Sequence, residues 1–153
     1  MVKRLSAKNQ KGFTLIELLV VIGILAVLLA ITLIAINPGR QFAQANNTKR
    51  RSDVNAILNA VSQYAADNHG ALPSGITNSP QTISNTGADI CAALVTQYLA
   101  ALPVDPLTNN GAPVTNCAVA YTTGYTIFKS PSDNRVTASA SAAELGENIT
   151  VAR

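Results

Sequence analysis

The sequence predicts an α+β fold in which a long N-terminal α-helix, membrane-spanning over its first half, packs on a small antiparallel β-sheet. Three observations carry this reading: an apolar run at residues 13–36 holding one charge, an apolar stripe at helical spacing between residues 54 and 65, and short half-buried strand patterns after residue 115. The chain has 153 residues, 48% of them apolar and 12% charged. Average soluble domains carry about 25% charged residues, so half that level points to a membrane segment or to packing against copies of the same chain. A disordered polyelectrolyte is excluded.

Residues 1–12 contain Lys3, Arg4, Lys8 and Lys11 and no acid, and residues 13–36 contain only Glu17. A 24-residue helix is about 36 Å long, enough to cross a hydrocarbon core of roughly 30 Å with some tilt. The cationic leader is expected to stay in the cytoplasm, so everything after residue 36 faces outward. A secretory signal has a shorter apolar core, about 7 to 15 residues, and is discarded. A signal anchor fits the hydropathy equally well.

The local sequence Lys11-Gly12-Phe13-Thr14-Leu15-Ile16-Glu17-Leu18-Leu19-Val20-Val21 resembles the N-terminal signature of type IV pilins and of the pseudopilins of type II secretion and competence machines. The resemblance implies a pilin fold. It also implies that a prepilin peptidase cuts between Gly12 and Phe13, that Phe13 becomes the new N-terminus, and that its amine is methylated. A glycine before the scissile bond makes steric sense, because no Cβ hinders the approach of the backbone to a catalytic site at the membrane face. The organisation expected is a leader at 1–12, a membrane and filament-core helix at 13–36, a kink and amphipathic stem at 37–69, and a globular α/β head at 70–153.

Glu17 admits two readings. Four residues past Phe13, it can snorkel to the interface; an acid inside a membrane segment is otherwise a functional group by default, since a central carboxylate costs on the order of 2.5–3.5 kcal/mol to insert. The resemblance assigns Glu17, with Thr14 beside it, to assembly and register: Glu17 of an incoming subunit meets the Phe13 amine of a neighbour, and unpaired charge penalises wrong registers. Gly23, Ala26 and Ala30 form one small-residue face, either a surface for close helix approach or the ordinary Gly and Ala content of membrane helices. Asn37-Pro38-Gly39 should interrupt the helix, with Pro38 and Gly39 as its kink. Many pilins carry a helix-breaking proline four residues earlier, where this chain has Ile34.

Beyond the break, Val54, Ile57, Leu58, Val61, Tyr64 and Ala65 recur at spacings of three and four and predict an amphipathic helix ended by His69-Gly70. Lys49-Arg50-Arg51 reads as a solvated face in preference to a nucleic-acid contact, and no aromatic residue interleaves it as a stacking platform. Residues 71–87 read as loop, residues 88–100 as a short helix, and 115–121, 124–129, 134–140 and 148–152 as strands. The segment Leu102-Pro103-Val104-Asp105-Pro106 that stops the short helix is similar to the corresponding stretch of many pilins and pseudopilins. Cys91 and Cys117, on the outer side of a membrane and with no His nearby, read as a disulfide before a metal site.

No catalytic constellation emerges, and neither cofactor nor metal is expected. His69 has Asp67 near it but no nucleophile, so it reads as a cap or a solvated side chain. Asp105, Asp133, Glu144 and Glu147 are scattered acids. Asp133-Asn134 could offer loop oxygens to calcium at a spacing that is not diagnostic, and Asn46-Asn47-Thr48 and Asn148-Ile149-Thr150 match glycosylation sequons by pattern alone.

The function expected is structural: a pilus subunit polymerising with itself, stored in the inner membrane, served by the prepilin peptidase, an assembly platform protein and an ATPase, and displayed on the cell surface. Nucleic acid is not expected as a direct partner. The alternatives are a pseudopilin and a signal-anchored binding protein that never polymerises. The formal charge of +3 belongs to the leader, because removing residues 1–12 leaves seven basic against eight acidic side chains. A near-neutral subunit stacks on its own copies without strong self-repulsion.

Overall fold

A computed structural model describes residues 12–153; the basic leader positions Lys3, Arg4, Lys8 and Lys11 lie outside the described residues. The described residues fall into two compact units, 12–38 and 39–153. The first is the helix α1, Leu15–Ile36, long and apolar enough to cross a membrane and buried nowhere along its length. Its helical ladder stops at Asn37, which takes left-handed backbone angles (φ 47°, ψ 80°). The residue before a proline is disfavoured in the α region, and Pro38 itself is well placed as the first residue of a new helix because it has no N–H to leave unpaired. The interruption is therefore confined to Asn37, and Pro38 and Gly39 are helical.

Helix α2, Pro38–Asp67, starts at the boundary, and all but its first residue belong to the second unit. Val54, Ile57, Leu58 and Val61 are buried on one stripe, as their spacing predicted. The helix ends in a Schellman turn: His69 adopts φ 54°, and the Gly70 amide donates to the Ala65 carbonyl at 2.7 Å. His69 thus supplies the left-handed position that glycine more often fills.

Four antiparallel strands follow, β1 (Gln81–Ser84), β2 (Thr122–Lys129), β3 (Val136–Ala140) and β4 (Ile149–Ala152), in the spatial order β1-β2-β3-β4. Alternation sets the inner face: Thr123, Tyr125 and Ile127 of β2 and Val136, Ala138 and Ala140 of β3 are buried, while their sequence neighbours are less so. With Ile83 and Ile149 these residues cover the apolar stripe of α2. The result is α+β, a helix on a small antiparallel sheet, as in the pilin fold.

Three expectations need correction. Residues 71–87 are not all loop, because β1 lies at 81–84; it pairs Thr82 with Thr126 and buries Ile83, a strand whose alternation rests on one apolar residue. The helix expected at 88–100 shrinks to α3, Cys91–Leu94. Ile90, Cys91, Leu94, Val95 and Leu102 are all buried, so the segment must fold around its apolar residues instead of presenting a stripe; Thr96 turns to φ 76° and its amide bonds the Leu99 carbonyl at 2.7 Å. The strand expected at 115–121 is absent: Val114 makes one isolated bridge to Leu102, and the strand begins at Thr122.

Candidate functional site

At the start of α1, Thr14 is the N-cap and closes a reciprocal capping box with Glu17. The Thr14 amide and hydroxyl donate to Glu17 Oε2 at 2.8 and 2.7 Å, and the Glu17 amide donates to Thr14 Oγ1 at 3.3 Å. The box satisfies amides that the first helical turn leaves without partners, and it places a carboxylate at the positive end of the helix dipole. The sequence carries this signal as Thr-x-x-Glu directly before an apolar run. Gly12 and Phe13 are exposed, Phe13 at 87%, and Gly23, Ala26 and Ala30 are likewise uncovered. The backbone at Gly23 has open space around it. The whole apolar circumference of α1 is bare, from Leu15 to Ile36, a surface that water cannot solvate cheaply and that lipid or other chains must cover.

In the head, the structure overturns the reading of Lys49-Arg50-Arg51 as a solvated face. Arg50 is fully buried. Its Nε and Nη2 donate to the two carboxylate oxygens of Asp105 at 2.6 and 3.2 Å, and its Nη1 donates to Glu144 Oε2 at 2.7 Å and to Asn47 Oδ1 at 3.0 Å. Asn47 and Glu144 also exchange side chain to backbone bonds of 2.8 and 3.0 Å, and Asn46 donates to Glu144 at 2.9 Å. Lys49 reaches Asp53 at 2.6 Å and the Val104 carbonyl at 3.0 Å, and Arg51 pairs with Glu147. The scattered acids Asp105, Glu144 and Glu147 therefore converge on one turn of α2 and tie it to the segment after Pro103 and to the β3–β4 connection. Among the described residues, every buried side-chain nitrogen and oxygen has a partner.

The electrostatics follow from burial and pairing. Burial pushes the Asp105 carboxyl up, but the Arg50 hydrogen bond and the Leu107 amide at 2.9 Å outweigh it and hold the group below its ordinary value. The Arg50 and Asn46 hydrogen bonds hold Glu144 low in the same way. Tyr125 is pushed up by burial and by donating to Asp53 at 2.7 Å. A glycine is required beside this network: Gly124 sits at φ 78°, where an added Cβ would meet Thr108 Oγ1 at 2.8 Å and Asp105 Cβ at 3.0 Å. Gly124→Ala should cost about 1–3 kcal/mol. A urea midpoint unchanged from the parent chain would contradict that expectation.

Cys91 and Cys117 form a disulfide with Cα atoms 5.5 Å apart, joining α3 to the segment before β2. Such a loop closure contributes roughly 2–4 kcal/mol. Thiol titration of the unfolded chain should find no free thiol before reduction and two after it, and reduction should lower the thermal midpoint of the head.

Asp133 accepts from the Arg135 amide at 3.2 Å and lies 4.0 Å from its side chain; among the described residues no three His, Cys, Asp or Glu side chains gather as a metal site. His69 serves the helix end through its left-handed backbone.

A family model described as the prokaryotic N-terminal methylation motif matches residues 7–33. No curated protein and no solved structure matches the chain. Residues 7–33 of this chain are the prepilin signature of type IV pilins and pseudopilins, and such a signature implies a structural subunit that is processed by prepilin peptidase and anchored in a membrane as its precursor.

Proposed function

We propose that the chain is a prepilin and that its mature form is the structural subunit of a type IV pilus. The observation that carries this reading is the bare apolar helix α1, opened by a carboxylate at Glu17 and preceded by the Gly12-Phe13 junction. Prepilin peptidase cuts after Gly12, and Phe13 becomes a methylated N-terminal amine that remains a cation. The precursor is held in the inner membrane with its N-terminus cytoplasmic until the platform protein and its ATPase move it into the fibre.

There α1 exchanges lipid for neighbouring helices. Glu17 accepts the Phe13 amine of an adjacent subunit, and Gly23, Ala26 and Ala30 let helices approach closely, which is how helices associate where lipid removes the hydrophobic drive. A chain that stayed a lone anchored protein would leave the cleavage junction without use and would use Glu17 only as a helix cap. The Cys91–Cys117 bridge and a weakly charged head suit a subunit exposed outside the cell.

Electron microscopy of sheared surface filaments, with mass spectrometry of their subunit, tests the proposal. Long filaments whose subunit begins at methylated Phe13 are expected. An intact Met1 end or the lack of any filament would overturn it, and short fibres formed only on overproduction would assign the chain to secretion as a pseudopilin.

A further inference from the structure

We propose that Phe42 is an interfacial anchor of the unassembled subunit, its ring lying among lipid headgroups next to the outer end of the membrane-spanning helix. The inference rests on residues 15–36 crossing a bilayer. Phe42 is 71% exposed, whereas Val54, Ile57, Leu58 and Val61 further along the same helix are buried. Ala43, the next residue, is buried in the head, so the head uses the adjacent face and leaves the ring out. Around Phe42 the first turns of α2 are otherwise polar or small: Gly39, Arg40, Gln41, Gln44 and Ala45.

Chain geometry bounds the distance of the ring from the end of α1. Two peptide steps separate Ile36 from Pro38, and Phe42 lies four helical residues further, about 6 Å along α2. Whatever direction α2 takes, the Cα atoms of Phe42 and Ile36 are therefore within about 14 Å of each other. The 22 residues of α1 make a helix about 33 Å long, slightly more than the roughly 30 Å hydrocarbon core, so its end reaches the headgroup layer, itself about 5–8 Å deep.

Aromatic rings with nearby cations populate that layer. Arg40 is on the same turns, and the first acid after Glu17 is Asp53. The other large apolar side chains exposed on the head, Leu107, Val119 and Leu145, lie more than sixty residues later in the chain and carry no such tether.

The chain has no tryptophan, so single substitutions report cleanly. Full-length protein carrying Phe42→Trp, Leu107→Trp or Leu25→Trp would be reconstituted at high lipid ratio in phosphatidylcholine vesicles, some with brominated acyl chains. The Phe42→Trp emission should be blue-shifted from that of Leu107→Trp, about twofold or more less quenched by acrylamide, and quenched most by bromine near the glycerol end. Emission as red and as acrylamide-accessible as Leu107→Trp would overturn the anchor. So would a blue shift that vanishes on dilution with lipid, which would give the ring to a second copy. If Leu25→Trp escaped quenching by bromine at the bilayer centre, the membrane reading itself would fall and the anchor with it; quenching of Leu25→Trp without that of Phe42→Trp sinks the anchor alone.

Discussion

Glu17→Ala is expected to leave the precursor inserted and cleaved but to stop its entry into filaments. In the fibre core the Phe13 amine of a neighbour would face no carboxylate, and an unpaired charge in a low-dielectric interior costs about 3–5 kcal/mol. At 1.4 kcal/mol per tenfold, incorporation should fall on the order of 100-fold or more. The capping box adds a control. Glu17→Gln can still accept from the Thr14 amide, which Glu17 now does at 2.8 Å, while lacking the charge, so it separates helix capping from ion pairing. Thr14→Ala does the reverse, losing a cap worth about 1 kcal/mol and keeping the charge. If register is set by charge, Glu17→Gln fails like Glu17→Ala, and Thr14→Ala assembles. The measurement is the ratio of subunit in sheared filaments to subunit in membranes, with the N-terminus of each fraction determined. Normal incorporation of Glu17→Ala would remove Glu17 from the assembly mechanism.

The long apolar helix was legible because residues 13–36 form one run with the length and composition that a bilayer asks of a spanning segment, a pattern no distant contact overrides. The stripe Val54, Ile57, Leu58 and Val61 was legible for a similar reason, since one helical face had to be covered. The ion network was not. Arg50 contacts Asp105 and Glu144 across 55 and 94 positions, and a run of three basic residues reads alike whether solvated or buried. One trace was there: Asp105 is the only charge within the apolar, proline-bounded Leu102-Pro103-Val104-Asp105-Pro106, where a buried carboxylate needs a cation from elsewhere. β1 and the length of α3 escaped because the former shows one buried apolar side chain and the latter kept a helical spacing of apolar residues past Leu94, although the backbone is already extended at Val95 (φ −72°, ψ 142°).

Arg50→Met should be the most damaging single change in the head. It removes the cation that hydrogen-bonds Asp105 in a site where both side chains are fully buried, and stranding that carboxylate costs about 3–5 kcal/mol. Domains of this size have about 5–15 kcal/mol in total, so the variant is expected to be partly unfolded near physiological temperature. Glu144 is different: its side chain is 32% exposed, and water can solvate it when Arg50 is gone. Asp105→Asn should cost less than Arg50→Met, because Arg50 keeps Glu144 and Asn47 and the asparagine oxygen still accepts from the Leu107 amide. The decisive comparison is Arg50→Met with Asp105→Asn, which removes both buried charges together and should recover much of the loss. All four tyrosines, Tyr64, Tyr98, Tyr121 and Tyr125, lie in the second unit, so near-ultraviolet circular dichroism of the full chain in detergent follows its unfolding without interference from α1. Acid gives an independent check. Asp105 and Glu144 titrate below their ordinary values of 3.8 and 4.5 when folded, so as pH falls past those ordinary values the unfolded chain binds more protons than the folded one. Stability from the network is complete above about pH 5 and is lost as pH falls through the folded-state values. The double variant should show a shallower loss over the same window. If its acid profile matched that of the parent chain, or if Arg50→Met alone cost less than about 1 kcal/mol, the buried pair would not be what holds α2 to the loops after Pro103 and β3.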